Sequence, residues 1–160
     1  MAVQFSDKDI KRLIEEEKPL PENYRSLIQV KPKRGHSERE LNVKGKENND
    51  FRLILRQSLS NPIDFSIILA HQPRNSNQLF RLLRCNGKSH EHTNTIENTK
   101  FYDFHIHLAT ERYQDIGAKE DWFATPTNGF VSFQEAIIYM LKEGNFELPT
   151  SPQGLLFEDI

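Results

Sequence analysis

Residues 51–56 read FRLILR, and here the hydrophobic period of the chain becomes two. Phe51, Leu53 and Leu55 alternate with Arg52, Ile54 and Arg56, giving one apolar face and one partly basic face. Successive side chains of a strand point to opposite sides, so this alternation predicts a half-buried strand rather than a helix. Toward the C-terminus, Asn61-Pro62 marks a turn and FSIILA (65–70) reads as a more fully buried strand. QPRNSN (72–77) is a loop, LFRLLRC (79–85) a further strand, Asn86-Gly87 a turn signal, and FYDFHIHLA (101–109) the next strand.

Helix signals flank this run of strands. Ser6 and Asp9 form a capping-box variant, with Phe5 and Ile10 placed as a hydrophobic staple. Ile10, Leu13 and Ile14 share one helical face before Pro19 and Pro21 stop the helix. Near the other end, Ser132 and Glu135 repeat the capping pattern, Phe133, Ala136, Ile137, Met140 and Leu141 form the stripe, and Gly144 ends it. The polar stretch 31–50 reads as a connector with a short edge strand around residues 40–44, and 111–131 reads as irregular. The expected fold class is α+β: an antiparallel β meander with an N-terminal and a C-terminal helix packed on one face. The expected organisation is a single domain over residues 1–160: helix 6–18, connector 31–50, sheet 51–109, helix 132–143. The tail SPQGLLFEDI is expected to add a last packed strand.

Composition narrows the chemistry. At 160 residues, 36% hydrophobic content with eleven Phe suffices for a core without disulfides or a structural metal. A formal charge of −2 gives no bulk attraction to nucleic acid, so a polyanion would need a local basic patch. Cys85 is the only cysteine, which excludes an intrachain disulfide and any cysteine-based zinc cluster. No apolar run approaches a membrane span and the start lacks a signal-peptide core, so a cytoplasmic protein without a membrane partner is expected. The P-loop, dinucleotide-binding, HExxH and nucleophile-elbow motifs are all absent from the sequence.

What remains is a concentration of histidine. On strand 101–109, Phe101, Asp103, His105 and His107 share one face, which puts two imidazoles about 7 Å apart on the polar side. Tyr102, Phe104, Ile106 and Leu108 share the other face, read as the core side. The plain alternative is a pair of surface histidines. His90 and His92 lie just past the Asn86-Gly87 turn, in a segment that must return toward the same strand. Arg81 and Arg84, three apart, are expected on opposite faces, with Arg84 as the site arginine; its bland reading is a salt bridge to Asp103 or Glu97. Asn86 and Asn94 are placed with the substrate, and Glu111 and Arg112 border the same cleft.

Two chemistries suit such a cluster. Imidazoles titrate near neutrality, so a pair can act as base and acid in RNA cleavage while a guanidinium steadies the phosphoryl charge. The same side chains are common ligands for zinc and other first-row metals, with Asp103 or Glu111 available to complete the shell. The spacing alone does not choose.

Arg84-Cys-Asn86-Gly87, then His92-Thr-Asn94, then Phe104-His105-Ile-His107, resembles toxins of the TumE type and related small bacterial proteins over residues 79–112. Asn86 stands where that pattern commonly has Asp, and His-Ile-His replaces a run of adjacent histidines. The resemblance implies a toxin-like protein, made beside a cognate antitoxin and acting on RNA. The leading expectation is therefore an endoribonuclease without a cofactor: His105 and His107 as acid and base, His92 as helper, Arg84 as phosphate anchor. The second is a hydrolase with a divalent metal such as zinc on His90, His92, His105 and His107. The third is a non-enzymatic module binding a protein or nucleic acid.

Overall fold

The computed structural model describes residues 3–149, so the expected C-terminal strand lies outside the described residues. Ser6 caps helix α1 (Asp7–Glu15), its Oγ accepting from the Asp9 N–H at 3.0 Å. Phe5 lays its ring on Phe80, centroids 4.7 Å apart. There follow β1 (Lys18–Pro19), α2 (Tyr24–Leu27), β2 (Lys31–Pro32), β3 (His36–Lys44), β4 (Asp50–Ser58), β5 (Phe65–Gln72) and β6 (Phe80–Asn86). The second half holds β7 (His92–Asn94), β8 (Thr99–Phe101), β9 (His105–Leu108), α3 (Glu111–Asp115), β10 (Ala124–Pro126), α4 (Phe133–Glu143) and β11 (Phe146–Glu147).

The fold is α+β. Seven strands form one sheet in the order β10-β9-β6-β5-β4-β3-β2, with every neighbouring pair antiparallel. Both edge strands carry a proline, Pro126 and Pro32, which withholds a backbone donor from further pairing. One face of the sheet presents Leu53, Leu55, Ile67, Leu69 and Cys85 to a core completed by Ile10 and Leu13 of α1 and by Ala136, Met140 and Leu141 of α4.

Three sequence expectations are corrected here. The connector 31–50 is largely sheet: β3 runs nine residues, pairing Leu41 with Leu53 and Val43 with Phe51. Its period was masked because Ser37 and Arg39 precede Leu41 on the inward side. The stretch 111–131 is not irregular throughout, since Thr110 caps α3 through its Oγ1 and β10 extends the sheet beyond β9. Segment 101–109 is not one strand. Phe101 ends β8 in a two-stranded hairpin with β7, while β9 starts at His105 in the main sheet.

Gly87 illustrates close approach rather than a hairpin turn. Its N–H donates to Phe65 O at 2.9 Å, and a Cβ there would strike the Ile63 carbonyl. At the opposite end of the molecule β1 and β11 pair in parallel, and Lys18 locks them. Its Nζ donates to Ile14 O (2.8 Å), Glu16 O (2.8 Å) and Gly144 O (2.6 Å) and lies 4.6 Å above the Phe51 ring.

No helix among the described residues is long and apolar enough to cross a membrane.

Candidate metal centre

The site grows from the face of the sheet opposite the core. On β9, His105 and His107 pair in register with Asn86 and Arg84 of β6, so all four side chains project to one side. A register shift between Leu69 and Ala70 against β6 alters the expected geometry of the arginines. Arg81 pairs with Ala70 and Arg84 with Ile68, so the bulge brings both guanidinium groups to the histidine face rather than to opposite faces.

The histidine face is not open to water, as the strand pattern alone suggested. His92, His105 and His107 are 5%, 1% and 3% exposed, whereas Tyr102 and Leu108, read as core-side, are exposed and Ile106 is half-buried. The cause is a roof. The β7–β8 hairpin folds over β9, bringing the His92 and Phe101 rings each within 5.6 Å of His105. The segment before β10 closes the other side, where Trp122 packs on His92 at 5.1 Å and donates its indole N–H to Thr93 O at 2.8 Å.

Hydrogen bonds fix the tautomers. His105 Nδ1 lies 2.8 Å from Asp103 O and His107 Nδ1 lies 2.8 Å from Asp121 O. A carbonyl only accepts, so each Nδ1 carries its proton and each Nε2 keeps its lone pair. His92 is set the opposite way round. Asn94 is oriented by Ala124, whose N–H donates to Oδ1 (2.9 Å) and whose carbonyl accepts from Nδ2 (2.8 Å). His92 Nε2 must therefore donate to the same Oδ1 at 2.9 Å, and the Trp122 backbone carbonyl also bears on this ring.

The ring centroids of His107 stand 4.9 Å from those of His92 and His105, and one nitrogen of each of the three rings lies within 4.8 Å of the others. An ion at about 2.1 Å from each would require the rings to draw together by on the order of 1 Å. His105 Nε2 is buried and has no hydrogen-bond partner among the described residues. Burial, helped by Arg84 and the neighbouring rings, holds all three imidazoles below their ordinary pKa, His105 at about 4 and His107 at about 2. Burial thus favours the neutral form of each ring.

Asp121 is the residue that sequence reading missed. Its carbonyl orients His107, while its fully buried carboxylate faces Arg84 Nε at 3.3 Å and Arg81 Nε at 3.6 Å without a hydrogen bond to either oxygen. Burial raises its pKa against the pull of Arg84 and Arg81. Arg84 thus pairs with Asp121 and not with Asp103 or Glu97. Glu120 takes Arg81, accepting from its backbone N–H at 3.0 Å. The signal available in the sequence was slight: an acidic pair beside the only tryptophan, inside a stretch without periodicity.

The remaining candidates separate. Asn94 belongs to the site as the orienter of His92. Asn86 sits beside His105, its Oδ1 accepting from Ser66 Oγ at 3.0 Å. His90 is exposed at the margin, 6.4 Å from the His105 ring and outside the three-histidine cluster. Asp103 contributes only its carbonyl. Glu111 is spent on α1, where it and Asp7 accept from each other's backbone N–H at 2.7 and 2.9 Å. Arg112 pairs with Glu97 at 2.6 Å and stacks on Phe123. Neither borders the cluster.

No curated protein and no solved structure matches this sequence. A family model does match, over residues 5–142, which includes the histidines, Arg84 and Asp121. The chain belongs to that family, a family of unknown function designated DUF6978.

Proposed function

We propose that the protein is a metal-dependent hydrolase in which His92, His105 and His107 hold one divalent first-row ion, zinc being the best match to three neutral imidazoles. The observation that carries this reading is the buried His105 Nε2, a lone pair with no protein partner aimed into a cluster of two others. Unsatisfied buried acceptors are expensive, typically about 1–3 kcal/mol, and a coordinated ion removes the deficit. The backbone carbonyls on Nδ1 of His105 and His107 are the outer contacts that usually orient such ligands. Three histidines without a fourth protein ligand among the described residues match catalytic rather than structural zinc, with the remaining position left to water or substrate. Bound there, the ion would lower the pKa of a water molecule and supply a hydroxide at neutral pH.

The cofactor-free ribonuclease expected from the sequence needs one of the two strand histidines protonated near neutrality. The burial of both favours the neutral form, which is the form a metal uses directly. Toxicity, an antitoxin partner and RNA as substrate are separate matters, and the geometry lends them no further support.

The test is elemental analysis of the purified full chain together with thermal melts. The expected result is about one equivalent of zinc or a similar ion, lost in His105→Ala and His107→Ala, with chelation lowering Tm. Substoichiometric metal, together with an apo protein whose Tm does not respond to added zinc, would overturn the proposal.

A further inference from the structure

We infer that the site takes a tetrahedral oxyanion, a phosphate or phosphate ester, with one oxygen at the open metal position and another on the Arg84 guanidinium. This rests on the metal reading above and adds the substrate class.

Register puts Arg84 directly opposite His107 on the adjacent strand. Arg84 Nε lies 3.3 Å from Asp121 Oδ2 without making a hydrogen bond, and among the described residues no acceptor is hydrogen-bonded to the rest of its guanidinium. A guanidinium fork of this kind matches two phosphoryl oxygens. Asn86, opposite His105, extends the donor set. Its Oδ1 already accepts from Ser66, which leaves the amide NH2 as a donor on the same face.

Charge points the same way. Imidazoles that coordinate an ion are neutral and offset none of its charge, and Arg84 adds a further positive charge on the paired strand. Among the described residues Asp121 is the buried carboxylate facing this group, and it is shared with Arg81. Glu120 is already engaged by Arg81. The occupied centre would therefore hold a net positive charge among buried, poorly hydrated groups, where an anionic ligand is strongly favoured over a neutral one. The less covered side lies along the sheet. The histidines are roofed, but Arg84 keeps 18% of its side chain exposed, and beside it on the same face Ile68, Ile54 and Arg52 are only half-buried.

The experiment is calorimetric titration of inorganic phosphate into the zinc-loaded protein, with acetate as the planar, monoanionic comparison. Phosphate is expected to bind at least tenfold more tightly than acetate. Arg84→Lys keeps the charge but loses the fork, and is expected to weaken phosphate at least tenfold at unchanged zinc content. Removing Arg84 alone would strand Asp121, so the second variant is the double replacement Arg84→Met with Asp121→Asn, which is expected to show the same loss. Full zinc occupancy with no phosphate binding, or with equal phosphate affinity in both variants, overturns this inference and leaves the metal reading standing. Failure to bind zinc overturns both.

Discussion

Lys18 and His105 are both nitrogen bases taken almost completely out of water, and the protein treats them in opposite ways. Lys18 Nζ has three N–H bonds and meets three carbonyls, from Ile14, Glu16 and Gly144. Every donor is used, and the groups it joins belong to the ends of α1 and α4. His105 has one nitrogen satisfied by Asp103 and one that meets nothing. A buried polar group whose bonds all close within the chain stabilises the fold; one left open in a cluster of like groups implies a ligand. The contrast separates structural from functional burial without recourse to residue type.

The largest effect expected from this contrast is at Lys18. Lys18→Ala would orphan three buried carbonyls and leave a cavity beside Phe51 and Phe146, so a loss of about 4 kcal/mol is expected. Lys18→Met keeps the packing and loses only the hydrogen bonds, for about 2 kcal/mol. Denaturant melts of both variants check the order. A Lys18→Ala protein as stable as wild type would show that the three bonds do not hold the two helix ends.

The same residue gives a pH dependence of known sign. Burial, opposed by Glu16, depresses the Lys18 pKa from its ordinary 10.5 to about 8. Between these values the unfolded chain binds more protons than the folded one, so stability contributed at this site rises with pH. Below pH 8 the penalty for charging Lys18 is fully present; above pH 10.5 it is gone. Relative to Lys18→Met, wild-type protein should gain on the order of 2–3 kcal/mol across this window. A flat or falling difference would contradict the depressed pKa.

On the functional side the expected effect is smaller and of opposite sign. His105→Leu removes an unsatisfied nitrogen and returns a side chain of similar bulk beneath the roof. Apo stability should be unchanged or higher by about 1 kcal/mol, because the freed Asp103 carbonyl is only part-buried and can find water. The same variant should lose all stabilisation by added zinc, which for wild type approaches about 4 kcal/mol at a thousandfold excess over Kd. If apo His105→Leu were destabilised as strongly as Lys18→Ala, the histidine cluster would be structural and the distinction would fail.

The difference between the two sites also explains what the sequence discloses. The β meander and both terminal helices were legible because period-two alternation at Phe51–Leu55 and capped stripes at Ser6 and Ser132 are local signals. β3 was under-read because Ser37 and Arg39 occupy inward positions, so hydrophobic alternation starts only at Leu41. His92, His105, His107 and Arg84 stood out by type, yet their burial could not be read, since it depends on a hairpin and a loop that fold over from elsewhere. The bulge that turns Arg81 and Arg84 to one face has no sequence mark, and Asp121 lies in a segment with no periodicity. Lys18 carries no mark of its role in the sequence, because its partners are main-chain carbonyls that any sequence would supply.

The smallest expected effect concerns the roof and reads a rate instead of a stability. Trp122 connects the loop that orients His107 to the hairpin that carries His92, through its indole N–H on Thr93 O. Trp122→Phe keeps an aromatic ring against His92 and removes only that bond, which is solvent-exposed and worth about 1 kcal/mol at most. If the roof must lift for an ion to leave, zinc release to a competing chelator should accelerate by up to roughly fivefold, with little change in apo Tm. Thr93 cannot serve as a control by side-chain change, since the acceptor is its backbone carbonyl. Trp122→Ala supplies the comparison: it removes ring and bond together and should release zinc faster still. Equal release rates in wild type and both variants would mean that the ion leaves by the Arg84 side, along the uncovered half of the sheet, and that the roof stays closed throughout.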